Sequence, residues 1–167
     1  MSQVATDITI KEYPLFHRGK VRDMYDLGDA FLMVATDRIS AFDVVLPTPV
    51  PGKGKILNQI SAFWFEKLDL PNHMITDNIA DYPKDLEPYA EYLNGRSMIV
   101  KKANRFDVEC VARGYLVGSG WKDYKNTSSV CGHKLPEGLN LCCKLDPPLF
   151  TPAAKNDVGH DENIDLK

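Results

Sequence analysis

The chain has 167 residues, with 20 Lys+Arg against 23 Asp+Glu, a formal charge of −3 and 44% hydrophobic content, the size and balance of one globular domain rather than a disordered segment. Its longest apolar run, AFLMVA at 30–35, falls far short of the about 20 residues that cross a bilayer. The N-terminus lacks a basic segment followed by an apolar h-region, and the acidic balance argues against a nucleic-acid footprint, so a cytoplasmic protein that binds neither membrane nor nucleic acid is expected.

In chain order, residues 21–35 read as two strand segments joined at Gly28-Asp29, a β-hairpin. The polar stretch 37–43 and the Pro/Gly/Lys segment 47–55 are loop signals, and within the second Gly52-Lys53-Gly54-Lys55 reads as a mobile loop. From 56 to 68 apolar residues recur at helical spacing, which predicts an amphipathic helix whose Phe63 and Trp64 belong to the core. A weaker helix is expected at 85–93, with Asp85 as N-cap, Pro88 in the first turn and Asn94-Gly95 as the stop. Two further strands, 97–102 and 108–112, are linked by a polar turn around Asn104-Arg105. Glycines then punctuate RGYLVGSGW, and from Asn126 onward little regular structure is expected. Hairpin-rich strands followed by helices make the fold class α+β, with an antiparallel sheet in a first lobe.

Four clusters could carry chemistry. In Arg18-Gly19-Lys20-Val21-Arg22 a glycine permits close backbone approach and the cations can neutralise a polyphosphate; the plainer reading is an exposed basic turn. It is no Walker loop, because G-x-x-x-x-G-K-[ST] is absent and a strand follows, although kinase glycine-rich loops cover phosphates from a comparable position. Gly52-Lys53-Gly54-Lys55 is insufficient for a Walker assignment too. Asp37, Arg38, Ser40 and Asp43 follow a hydrophobic strand and suit a polar substrate or magnesium, or else form an internal Asp–Arg pair.

Arg113, with Gly114, Gly118, Ser119 and Gly120 beyond it, offers a bidentate cation, a hydroxyl and open N–H groups to a phosphomonoester or carboxylate. The alternative is a pairing of Arg113 with a buried acid. Lys155, Asp157, His160, Asp161 and Glu162 gather near the end, but no Ser-His-Asp or Cys-His arrangement appears. Cys110, Cys131, Cys142 and Cys143 have no C-x-x-C spacing and read as reduced thiols.

Taken in order, RGKVRDMYDLGDAFLMVATDRISAFDVVLPTPVPGKGKILNQIS, VECVARGYLVGSGW and LFTPAAKNDVGHDENI resemble the N-terminal half of the phosphoribosylaminoimidazole-succinocarboxamide synthase (SAICAR synthetase) family. The features GSGWKDY and VCGHKLPEGL look like its longer branch. The resemblance implies an ATP-dependent acid–amino-acid ligase of purine synthesis. It would join carboxyaminoimidazole ribonucleotide to L-aspartate through an acyl phosphate, with ATP and Mg2+ as cofactors. It implies a kinase-like N-terminal lobe over 1–102 and, over 103–167, the beginning of a larger ATP-grasp-like lobe.

Carried over by position, Gly19, Lys20, Val21 and Arg22 would lie over the ATP phosphates, and the backbone at Val100, Lys101 and Arg105 would line the adenine slot. Arg113, Gly118 and Ser119 would hold the ribonucleotide, Lys155 would reach the same site, and Asp161 would border the substrate pocket. Ser40 and Asp43 would face the substrate carboxylate, Asp43 through magnesium. Lys20, Asp43, Arg113 and Lys155 are the expected catalytic set. The family continues past HDENI into a segment bearing a D-x-K-x-E-F-G-type motif. The chain alone is therefore expected to have little ligase activity, or to act as a non-catalytic nucleotide- or ribotide-binding module. An unfinished lobe would also favour self-association.

Overall fold

The computed structural model describes residues 4–155 and 162–165. The chain divides into two compact units, Met1–Ala103 and Asn104–Lys167. Among the described residues no helix is long and apolar enough to cross a membrane.

The first unit contains β1 (Leu15–Arg18), β2 (Arg22–Asp26), β3 (Ala30–Ala35), β4 (Ser40–Ala41), β5 (Val44–Val45), α1 (Lys53–Lys67), β6 (Met74–Thr76), α2 (Ala90–Leu93) and β7 (Ser97–Lys101). Its main sheet has five strands in the order β1-β2-β3-β7-β6, with every neighbouring pair antiparallel. The β2–β3 hairpin turns where the sequence places it, with Gly28 at φ 94° and its N–H donating to Asp26 Oδ1 at 2.8 Å. Alternation along β2 and β3 sends Tyr25, Leu32 and Val34 to one face. There they form a core with Ile10, Tyr82, Leu86, Leu93 and Ile99.

Helix α1 begins one turn earlier than the sequence suggests, so Lys53, Gly54 and Lys55 are helical and not a mobile loop. Its buried face is also not the expected one. Gly54, Asn58 and Ala62 face inward, while Phe63 and Trp64 remain 55% and 49% exposed. The reason is close approach: a Cβ on Gly54 would lie 2.2 Å from Ala35 O, which leaves room there for glycine alone, and Asn58 Nδ2 donates to Ser97 O at 3.2 Å. Phe63→Ser, at a side chain only about half removed from water, is therefore expected to cost about 1 kcal/mol in urea denaturation. A core phenylalanine would cost several times that.

The second predicted helix resolves into a 3-10 segment, Lys84–Tyr89, followed by the short α2. Asp85 is not its cap, since the segment opens on Pro83 with no side-chain cap hydrogen bond. Pro88 sits inside the 3-10 turn, where its missing N–H interrupts an α-helical ladder. Gly95, at φ 75°, ends the element as expected.

The second unit contains β8 (Val108–Tyr115), α3 (Gly118–Thr127), β9 (Ser129–Val130), β10 (His133–Lys134), β11 (Lys144–Ala154) and β12 (Glu162–Asn163). The strands before and after Asn104-Arg105, β7 and β8, belong to different sheets and do not pair. The tail after Asn126 is more regular than its composition suggests. The eleven-residue β11 pairs antiparallel with β8 and β12, with a register irregularity between Lys144 and Leu149 that contains Pro147 and Pro148. Leu116, Tyr124, Val130, Cys131 and Leu145 form this unit's core.

Candidate functional site

In the first unit, the antiparallel pairing of β1 and β2 closes the turn at Gly19–Val21, pinned by the Gly19 N–H donating to Arg22 O at 2.8 Å. The next segment, residues 36–38, runs beneath it. Thr36 donates through N and Oγ1 to Val21 O, at 3.0 and 2.8 Å. The buried Arg38 donates to Gly19 O at 3.1 Å, Lys20 O at 3.2 Å and Thr6 O at 2.5 Å, and it pairs with the fully buried Asp23 at 2.6 Å. Burial works to lower the Arg38 pKa, but its hydrogen bond and charge pairing with Asp23, with Asp7 adding to them, outweigh burial and hold it above the ordinary value.

The ion pairs that Asp37 and Arg38 make are not with each other, as the alternative reading of 37–43 had it. Asp37 instead pairs with Arg96 at 3.1 Å, and Arg38 with Asp23. Sequence spacing conceals both, because each partner lies on another strand or beside one.

The β4–β5 hairpin carries Phe42 and Asp43 at its tip, with φ of 50° and 64°. These are left-handed conformations that bulky residues seldom adopt. The tip places Asp43 against Lys20, and the two side chains form an ion pair. Two of the sequence-derived candidates, from different clusters, are thus in contact. Ser40 is half-buried on β4 opposite Val45. Arg22 lines a cleft beneath α1 with Met33, Leu57, Met98 and His73. Burial, together with Arg22, lowers the His73 pKa and so favours the neutral imidazole. His73, between Asn72 and Met74, has no titratable neighbour in sequence that would mark it as a candidate. Val100 is buried in β7 and Lys101 exposed beside it; Arg105 belongs to the second unit and pairs with Asp107 at 3.0 Å.

In the second unit, Arg113 near the end of β8 turns toward the start of α3. Its Nη1 donates to Val117 O at 3.0 Å and its Nη2 to Ser119 Oγ at 3.3 Å. The guanidinium passes so close to Gly120 that a Cβ there would lie 2.9 Å from Arg113 Cδ and Nε. Arg113 makes no ion pair among the described residues, and its buried Nε has no hydrogen-bond partner there.

The α3 N-terminus has no side-chain cap and no acidic residue in its first turn. A cation beside an uncapped helix N-terminus repels it, and an anion between them removes the repulsion. Gly118, at φ 58°, opens the helix; Ser119, Asp123, Thr127, Cys131 and Asn163 line an adjoining polar cleft. The sequence shows Gly118 and Gly120 as a glycine-lined turn with open N–H groups; that they open a helix is not signalled, because glycine is a poor helix former.

The register separates Lys155 from Arg113. Arg113 lies opposite Leu149, and Lys155 follows the far end of β11, about 20 Å along the strand. Lys155 N donates to Asp107 O at 2.9 Å. Asp157, His160 and Asp161 lie outside the described residues, as does the side chain of Glu162. Among the described residues no three His, Cys, Asp or Glu side chains converge on a metal position, and the Asp43 carboxylate faces Lys20.

Two cation-bearing sites, one on a strand turn and one at a helix start, mark an α+β protein suited to anions. Residues 15–167 match the family model described as SAICAR synthetase, and the chain belongs to that family. It is 57% identical over 167 residues to a phosphoribosylaminoimidazole-succinocarboxamide synthase of Trichlorobacter lovleyi, covering 98% of this chain and 56% of that one. The corresponding protein of Thermodesulfovibrio yellowstonii is 54% identical, with coverage of 100% and 58%. The chain therefore spans a little over half the length of these relatives.

Among solved structures, the Saccharomyces cerevisiae SAICAR synthase complexed with SAICAR superposes with a TM-score of 0.85 at 39% identity, covering 98% of this chain and 56% of that one. A type-2 SAICAR synthetase in complex with ADP gives a TM-score of 0.64 at 26% identity, covering 89% and 54%.

Proposed function

We propose that this chain supplies the glycine-turn and ribotide-binding portions of an ATP-dependent ligase of purine synthesis. The reaction joins the carboxylate of carboxyaminoimidazole ribonucleotide to the amine of L-aspartate. The observation that carries the reading is Arg113 beside the uncapped start of α3, with Ser119 and the glycines at 118 and 120, a grouping of cation, hydroxyl and helix N–H groups suited to an anion. The relative bound to SAICAR and the relative bound to ADP support the two ligand classes.

A carboxylate does not condense with an amine at neutral pH, so it must first be activated. In the proposed sequence the carboxylate oxygen takes the γ-phosphoryl group of ATP, releasing ADP. The aspartate amine then attacks the acyl phosphate carbon, and inorganic phosphate leaves as the amide forms. The protein's task in phosphoryl transfer is positioning and charge compensation. Lys20 and Arg22, with the backbone of Gly19 and Val21, would take the nucleotide phosphates. Arg113, Gly118 and Ser119 would hold the ribotide.

The contact between Lys20 and Asp43 favours this division, because it puts a phosphate-side cation next to the residue assigned to the carboxylate end. Asp43 is itself anionic and would face a carboxylate only across a cation. It is the described residue that would help hold magnesium, which supplies further charge compensation, and the described residues alone do not make a complete metal site. Val100, Lys101 and Arg105 remain the proposed adenine-side residues. Ser40, Lys155 and Asp161 remain proposed for the substrate pocket, with Lys155 entering it about 20 Å along β11 from the Arg113 end, and Lys20, Asp43, Arg113 and Lys155 for catalysis.

Calorimetry with the chain tests the division. Lys20→Ala is expected to weaken ATP about tenfold while sparing the ribotide, and Arg113→Ala to do the reverse, each loss being that of one charge-assisted contact. Equal loss of both ligands in each variant, or loss of neither, would refute the assignment.

A further inference from the structure

The turn that bears Lys20 has its carbonyl groups taken up in an unusual way. Three successive carbonyl oxygens, those of Gly19, Lys20 and Val21, accept hydrogen bonds from one neighbouring segment, two from Arg38 and the third from Thr36. Carbonyl oxygens carry partial negative charge, so a turn that is to meet a phosphate has to direct them elsewhere. Thr36 and Asp23 are fully buried and Arg38 nearly so, which makes this a built arrangement beneath the turn and not a surface contact.

We propose that Arg38 is a positioning residue for nucleotide binding: its guanidinium holds the Gly19 and Lys20 carbonyls inward, and so fixes the turn that presents the Lys20 ammonium. The inference rests on the reading of Lys20 as a phosphate ligand. Arg38 does not touch the nucleotide in this account; it acts through the backbone of residues 19 and 20. Its fork geometry is essential. The Nε and both Nη atoms are engaged at once, with Thr6 O, Gly19 O, Lys20 O and both oxygens of Asp23 as acceptors. A lysine keeps the charge but has a single nitrogen, and cannot span acceptors spread this way. The partner Asp23 is held on β2 directly after the turn, so the clamp spans the loop it controls.

Because Arg38 is buried, a loss of stability on substitution would show only that it packs well. A double-mutant cycle on ATP affinity separates the two roles. ATP binding is measured by calorimetry on the wild-type chain, Arg38→Lys, Lys20→Ala and the double variant, each below its measured melting temperature. Arg38→Lys is expected to weaken ATP about tenfold, and the double variant to bind within about twofold of Lys20→Ala alone, the non-additive result for residues acting through one another.

If Arg38→Lys binds ATP like the wild type, or if the two losses multiply in the double variant, the positioning role is wrong. If the wild-type chain does not bind ATP, or Lys20→Ala binds it undiminished, the phosphate-ligand reading itself fails and this inference falls with it. Should Arg38→Lys not fold, Asp23→Asn replaces it in the same cycle. That variant leaves the guanidinium in place but weakens its anchor, and the same pattern is expected.

Discussion

Gly54→Ala is expected to destabilise the first unit by about 2–4 kcal/mol, toward the upper end for overpacking a close contact. By helix propensity the same change should stabilise by about 1 kcal/mol, since alanine is the better helix former. Sterics decide the sign. The new Cβ would lie 2.2 Å from Ala35 O, 2.8 Å from Ala35 C and 2.8 Å from Arg96 Nη1, and the first two are backbone atoms that cannot swing aside. Nor can the helix start retreat freely, because the Gly54 N–H donates to the buried Asp37 Oδ1 at 2.9 Å. Gly114→Ala serves as the control: a Cβ there meets nothing within 4 Å, and its effect should stay within about 0.5 kcal/mol. Urea denaturation followed by circular dichroism reads both, and a neutral Gly54→Ala would mean that α1 does not approach β3 this closely.

Asp37→Asn is expected to cost about 3–5 kcal/mol, the usual penalty for leaving one member of a buried ion pair without its partner. Asp37 is 0% exposed and Arg96 2% exposed, so neither charge can turn to water. The carboxylate accepts from Ala5 N at 2.9 Å, from Gly54 N at 2.9 Å and from Arg96 Nη1 at 3.1 Å, thereby joining the N-terminal segment, α1 and the start of β7. Burial is the largest single influence on its pKa and pushes it up. The two backbone N–H groups and Arg96 together outweigh burial, and the folded pKa lies below the ordinary value.

The sign follows from that direction. A carboxyl whose folded pKa is depressed adds stability above its unfolded pKa, and that stability is lost as pH falls from about 4 through the folded value. The wild-type chain should therefore lose stability more steeply than Asp37→Asn on acidification below about pH 4. Parallel acid limbs for the two proteins would contradict the assignment.

The parts of this fold that rest on local pattern were legible before the structure. Gly28-Asp29 between two strand-like segments marks the β2–β3 hairpin, and Gly95 marks a helix stop, because each depends on a few adjacent residues. The orientation of α1 was not legible. Its apolar stripe reads as buried, but backbone proximity to Ala35 selects Gly54, Asn58 and Ala62 for the inner face, and that distance is a tertiary property. The strand β11 was hidden by Pro147, Pro148 and Pro152, which lower strand propensity, while its pairing with β8 joins residues about 40 apart. At the candidate site, the residue types around Lys20 and Arg113 were visible as clusters. What holds them was not: the Asp23–Arg38 clamp, the Lys20–Asp43 contact and the position of Arg113 beside α3 all depend on residues brought together by folding.

The most direct measurement of the central claim is ADP formation by residues 1–167 joined to the remaining length of the Trichlorobacter lovleyi relative. ATP, carboxyaminoimidazole ribonucleotide and L-aspartate are each omitted in turn. The account predicts ADP release that requires both the ribonucleotide and aspartate, and that falls at least about tenfold in Lys20→Ala and in Arg113→Ala while both variants remain folded. ADP release that proceeds without the ribonucleotide and aspartate, or that survives both substitutions, would contradict it.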